Sequence, residues 1–123
     1  MAAVQPIDQS HRLNLTEVDG YLIVNLPPVL TDQLLADYDT QISHLVGEWR
    51  YQGVIINLTA VSLLDYSSLL QIRRICLTNT LLGSNTALLG INASIAAYLA
   101  EMPDAFSDLV FCNDMDAAKR SCG

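Results

Sequence analysis

Four short apolar runs constrain this 123-residue chain more than any other feature: YLIVNL (21–26), GVIINLT (53–59), NTALLGI (85–91) and LVFC (109–112). Each is strand-length and made mostly of aliphatic or β-branched residues. YLIVNL is apolar enough throughout to be buried on both faces, as central strands of parallel sheets are. The intervals between the runs are long enough for crossover helices, and they carry helical spacing.

After Pro27-Pro28, Thr31 reads as an N-cap with Asp32 in the first turn. Leu34, Leu35, Tyr38, Ile42, Leu45 and Val46 then recur at helical spacing, which predicts a helix over 32–46 ended by Gly47. A second helix is expected over 67–82 with Gly83 as its stop. Asn92 caps a third, carrying Ile95, Ala96, Leu99 and Met102 and closed by Pro103. Asn113 or Asp114 caps a fourth, with Lys119 and Arg120 near its negative end. Upstream, HRLNLTEV (11–18) alternates, with Leu13 and Leu15 on one side and Val18 a candidate third. Asp19-Gly20 turns it into the next strand as a hairpin. The predicted order is ββαβαβαβα: one α/β domain over 11–121, a mostly parallel, mixed sheet of about five strands with about four helices, preceded by a loose arm over 1–10.

Charge narrows the function. Six basic residues stand against thirteen acidic ones, a net −7, and the basic ones are scattered. No positive stripe is available to neutralise phosphates, so nucleic-acid binding is not expected. Acidic excess disfavours anionic membranes, and no apolar stretch reaches membrane-spanning length, so no membrane insertion is expected. Only 15% of residues are charged, against about 25% in ordinary domains, which points to surface covered by a partner or by copies of the chain. Cys76, Cys112 and Cys122 fit neither a zinc pattern nor a disulfide framework. Free thiols and an N-terminus without signal-peptide order make a cytoplasmic protein the expectation.

Chemistry concentrates in LLDYSSLLQIRRI (63–75), where an apolar run ends at Asp65 and Tyr66, Ser67 and Ser68 follow. At about 100° per residue, Ser67, Gln71, Arg74 and Thr78 form one polar stripe. Leu69, Ile72 and Cys76 lie opposite, towards the sheet. Leu70 and Leu81 flank the stripe on one side, Ile75 and Leu82 on the other. A polar ridge with apolar shoulders has the makeup of a partner-binding surface. The hydroxyls have two readings. Ser67 or Asp65 caps the helix. Alternatively a hydroxyl there is a phosphorylation site, since helix N-termini hold phosphate and a dianion would change partner affinity.

These residues resemble the STAS domain family of sulfate-transporter and anti-sigma-factor-antagonist domains. GVIINLTAVSLLD (53–65) is similar to the family's strand-loop-Asp signature, and LLGINASIAAYLAEM (88–102) to its strand, Gly-Ile and small-residue third helix. The resemblance covers roughly 13–120 and is closest to the RsbS type of stressosome protein; no sensory domain precedes it, unlike the RsbR type. It implies a bacterial, non-enzymatic regulator. Such a protein would scaffold a stressosome-like homo- or hetero-oligomer with RsbR-type paralogues and hold an RsbT-type serine/threonine kinase. That kinase would phosphorylate a hydroxyl after the switch-loop Asp65. The family's acceptor directly follows the Asp, but here that position is Tyr66, and Asn57 stands where an acid is usual. Three readings follow: the switch moved to Ser67, it uses Tyr66, or it is lost. Ser67 is preferred because it shares the stripe with Gln71 and Arg74, while Ser68 lies about 100° away. Partner contacts are expected from Leu70, Gln71, Arg74 and Thr78. An alternative within the same fold is an accessory subunit docking on the ATPase of an ABC-type lipid transport system.

Other constellations carry less. His11 and His44 lack ligand spacing, and Asp104, Asp108, Asp114 and Asp116 do not follow a calcium loop, so no metal is expected. Ser67 has no G-x-S-x-G elbow, and there is no nucleotide-binding glycine motif, so neither catalysis nor a cofactor is expected. Trp49 and Tyr51 read as a packed loop, and Cys76 as core.

Overall fold

A computed structural model describes residues 13–123; the expected arm over 1–10, His11 and Arg12 lie outside them. The chain forms β1 (Asn14–Val18), β2 (Tyr21–Asn25), α1 (Asp32–Glu48), β3 (Gly53–Asn57), α2 (Tyr66–Leu81), β4 (Thr86–Leu89), α3 (Ala93–Ala100), β5 (Phe111–Cys112) and α4 (Met115–Cys122). The predicted order is the observed one. The sheet runs β1-β2-β3-β4-β5, with β1 antiparallel to β2 and every other pair parallel.

The β1–β2 turn places Asp19 and Gly20 both at positive φ, as a two-residue hairpin demands. Parallel β2 to β5 place α1, α2 and α3 on one face. There Leu22, Val24, Val54, Ile56 and Leu88 pack with Leu35, Tyr38, Ile42, Leu69, Ile72, Ile75 and Ile95. The other face belongs to α4, where Ala118 and Cys122 meet Ile23, Ile55, Ala87 and Leu89. Strands buried from both sides explain the continuous apolar runs.

Caps fall largely where expected. The Thr31 hydroxyl accepts from the Leu34 amide at 3.1 Å. Asn92 caps α3, and Asp114 rather than Asn113 caps α4. Gly47 does not stop α1: the helix continues through Glu48, and the Trp49 amide still bonds the Leu45 carbonyl at 2.8 Å. Glycine in a final helical turn costs only about 1 kcal/mol, which the continued ladder overrides. Gly83, at φ +102°, follows α2 as expected. Leu13 and Leu15 pack on the core, but Val18 is exposed. Trp49 is also exposed rather than packed; only Tyr51 of that loop reaches the core.

Candidate functional site

The segment between β3 and α2 leaves the carboxyl end of a central strand, the edge where parallel sheets present their sites. Buried Leu58, Val61 and Leu64 nail it to the core. The Asn92 amide donates to the carbonyls of Val61 (3.3 Å) and Ser62 (3.4 Å), tying the loop to the start of α3. Gly90 is at φ +80°, and a Cβ there would strike the Thr59 hydroxyl, so the β3 and β4 loops touch only because this residue is glycine. Asn57 sits under this contact. Its amide nitrogen donates to Asn25 Oδ1 at 2.8 Å, while its oxygen accepts from the Thr59 amide at 3.0 Å and from the Thr59 hydroxyl. A carboxylate could not donate to Asn25, which accounts for an amide at this position.

The loop delivers Asp65 to the head of α2, where it is the N-cap. Its carboxylate accepts from the Ser68 amide at 2.8 Å. That bond first, and a second from the Ser68 hydroxyl, hold the Asp65 carboxyl below its usual range. The cap is therefore Asp65 and not Ser67. The three hydroxyls part company. Ser68 is 8% exposed and engaged by Asp65. Tyr66 leans its ring edge-on against Phe106, with centroids 5.6 Å apart. Ser67 is exposed, and its hydroxyl has no partner among the described residues.

Along α2 the structure turns the expected face. Leu69 and Ile72 are core, as read from the sequence, but so is Ile75, which belongs to no apolar shoulder. Gln71 and Thr78 are half-buried on the flank towards α1, where Gln71 donates to Asp32 Oδ1 at 2.8 Å. Arg74 is exposed beside a cleft of about 300 Å³ shared with Asp32, Ala36 and Asp39 of α1. The crest of the helix is apolar instead: Leu70 is 41% exposed, Leu77 45% and Leu81 87%. Leu77 was missed, although it lies on the same side of the helical wheel as Leu70 and Leu81. On the far flank, Arg73 Nε reaches both carboxylate oxygens of Asp108 at 3.0 Å.

Beside the head of α2 lies a cavity of about 250 Å³ between the loop and α3, lined by Leu63, Leu64, Asp65, Ser94, Ile95 and Tyr98. Leu63 at its edge is 75% exposed. Among the described residues no His/Cys/Asp/Glu group could hold a metal ion, and no helix is long and apolar enough to cross a membrane. Asp108 and Asp114 are instead engaged in an ion pair and a cap.

No protein-family model and no curated protein matches the sequence. Solved structures do match in three dimensions. An RsbS variant from Moorella thermoacetica superposes with a TM-score of 0.75 at 22% identity, covering 89% of this chain and 93% of its own. A chain of the stressosome, a signal integration and transduction hub, gives 0.73 at 21%, covering 88% and 94%. A phosphorylated SpoIIAA, a Bacillus cell-fate determinant, gives 0.65 at 14%, covering 89% and 98%. The chain has the STAS fold. It shares with these structures its five-stranded mixed sheet and four helices. At such identities the likeness is one of fold, and the site must be argued from its own residues.

Proposed function

We propose that this chain is a non-enzymatic STAS regulator that holds a switch kinase of the RsbT type at the head of α2, in an assembly with RsbR-type paralogues. Ser67 is the phosphate acceptor. The observation that carries this reading is the separation of the hydroxyls by Asp65: capping by Asp65 occupies Ser68 and leaves the Ser67 hydroxyl unengaged and outward. Around it stand the surfaces a partner needs. Leu63 and Leu70 supply exposed apolar contact, the neighbouring cavity can take an apolar side chain, and Arg74 with Gln71 supplies polar registration.

A phosphate on Ser67 would sit at the positive end of a helix, which favours its presence in the free protein. In the complex the same group adds about two negative charges next to an ionised Asp65. The partner must then desolvate three charges of one sign or leave, and leaving is the cheaper outcome. Among the described residues no histidine stands beside Ser67 to activate it, His44 lying on α1 against Glu48.

The test is phosphosite mapping by mass spectrometry on protein isolated from its own host, with and without stress. The tryptic peptide after Arg50 contains Tyr66, Ser67 and Ser68 together. Phosphate on Ser67 is expected. Phosphate on Tyr66 alone would move the switch to the Phe106 contact. A well-covered peptide that is never modified would reject the switch and leave a surface that docks constitutively. With the kinase in hand, Ser67→Asp should weaken binding at least about tenfold, or about 1.4 kcal/mol, without loss of folded structure.

A further inference from the structure

The cavity between the β3–α2 loop and α3 has the lining of a small-ligand site: apolar walls and a few polar groups. Its volume is about 250 Å³, its walls are Leu63, Leu64, Ile95 and Tyr98, and its polar groups are Asp65 and Ser94. An apolar cavity of ~150 Å³ holds a benzene ring, so this one has room for a ring and a short chain. Leu64 and Ile95 are each 2% exposed and make a floor that is part of the core. The walls are braced from both sides. Asn92 ties the loop to α3, and the Ser62 amide donates to the Pro28 carbonyl at 3.4 Å. The room exists because Ser94 is small. It lies one turn before Tyr98 on the same side of α3, where a larger side chain would fill the space. We propose that this cavity binds a small organic monoammonium with an aromatic or branched aliphatic body, the body seated on Leu64 and Ile95 and the ammonium paired with the Asp65 carboxylate.

Charge selects that class. Asp65 is the one acidic or basic residue in the lining. Its bonds come from neutral groups, the Ser68 amide and hydroxyl, which keep it ionised without cancelling its charge. Among the described residues, ion pairs join His44 to Glu48, Arg73 to Asp108 and Lys119 to Asp19, and none includes Asp65. The basic residues of α2, Arg73 and Arg74, start about 12 Å or more down the helix axis from it. An anionic ligand would meet this carboxylate with no cation between them. A neutral apolar one would strip water from it and return nothing. An ammonium compensates it, the Ser94 hydroxyl can accept a further N–H, and Tyr98 offers an aromatic wall to a ring or a cation. The net −7 of the chain adds long-range attraction for cations. Occupancy has one consequence for the proposed switch, and only that consequence rests on the kinase reading. A bound ligand fills the space that would take a partner's apolar side chain, and so opposes docking.

Three probes of one shape and different charge read this: phenethylammonium, phenethyl alcohol and hydrocinnamate. Each is titrated to about 10 mM into the isotope-labelled full chain while amide chemical shifts are followed by NMR. Phenethylammonium is expected to shift amides around 63–65 and 94–98 with a Kd of about 1 mM or tighter, a range open to so small a ligand. The alcohol should bind about threefold to fivefold more weakly, the worth of an ion pair at a half-open site, and the carboxylate should not bind. Asp65→Asn keeps a helix cap of equal strength and should erase the preference for the ammonium. Ser94→Phe fills the cavity from an exposed position and should abolish local binding, with circular dichroism verifying the fold of both variants. An absence of local shifts at the highest concentration overturns the proposal. So do equal affinities for the ammonium and either other probe, shifts scattered over the acidic surface, or binding that survives Ser94→Phe. Every readout uses the chain alone, so the failure of the kinase reading and the failure of this one are told apart.

Discussion

The two ends of α2 face solvent in opposite ways. At its head, polar groups are spent on geometry: Asp65 caps, Ser68 is held, Tyr66 rests on Phe106, and only Ser67 stays unengaged. At its tail almost nothing polar is fixed outward, and leucines stand in water. A single helix built from one 16-residue segment thus carries a precise small site and a loose apolar one. Precision at the head comes from anchoring by the β3–α2 loop and α3. The tail is apolar and exposed, and among the described residues no other element packs over its crest.

The comparison breaks most sharply if exposure along α2 is misjudged. Ile72 is completely buried between helix and sheet, so Ile72→Ala should lose about 2–5 kcal/mol in urea denaturation. Leu81→Ala, in the same helix, should stay within about 0.5 kcal/mol. Equal losses would mean that the tail is core rather than surface.

A smaller effect sharpens the account of the head. Removing the cap with Asp65→Ala should cost about 1 kcal/mol at neutral pH. The Ser68 bonds lower the carboxyl's value in the folded chain below its ordinary 3.8. The charged part of this stabilisation is therefore fully present above that value and is lost as pH falls through the lowered one. The gap between Asp65→Ala and the unsubstituted chain should narrow in acid, as denaturation midpoints from pH 7 to pH 2 would register. A gap that stays constant into acid would mean that the carboxylate is held by nothing.

The place where sequence reading slipped lies on the same helix. Element order and most caps were legible because they rest on local chemistry: apolar runs, Asp-Gly, Thr31, Asn92. The phase of α2 was not. Hydropathy centres the buried face on Leu69, Ile72 and Cys76, yet the true centre is turned by about 50° towards Ser68, Ile75 and Asn79. Two of those three are polar. Ser68 is buried because Asp65 satisfies it, and Asn79 donates to the Thr86 hydroxyl at 2.9 Å. Partners from other segments make polar burial affordable, and they are invisible to a periodicity argument. The turn moves Gln71 and Thr78 towards α1 and lifts Leu77 to the crest, which is how a polar ridge became an apolar one. The Asn57 amide was likewise readable only as a departure until Asn25 and Thr59 stood beside it.

The smallest effect is chemical, and it reads the tail from beneath. Cys76 lies under the depression beside Leu77. Burial, reinforced by the Asp108 carboxylate, pushes its thiol up to about 12. Only the thiolate attacks alkylating agents, so at pH 8 roughly one thiol in ten thousand is reactive. Iodoacetamide should label Cys76 in the native chain about a hundredfold or more slowly than in urea, as peptide-resolved mass spectrometry would follow. Native labelling as fast as in urea would show instead that the α2–β5 flank opens and that Cys76 is not held beneath it.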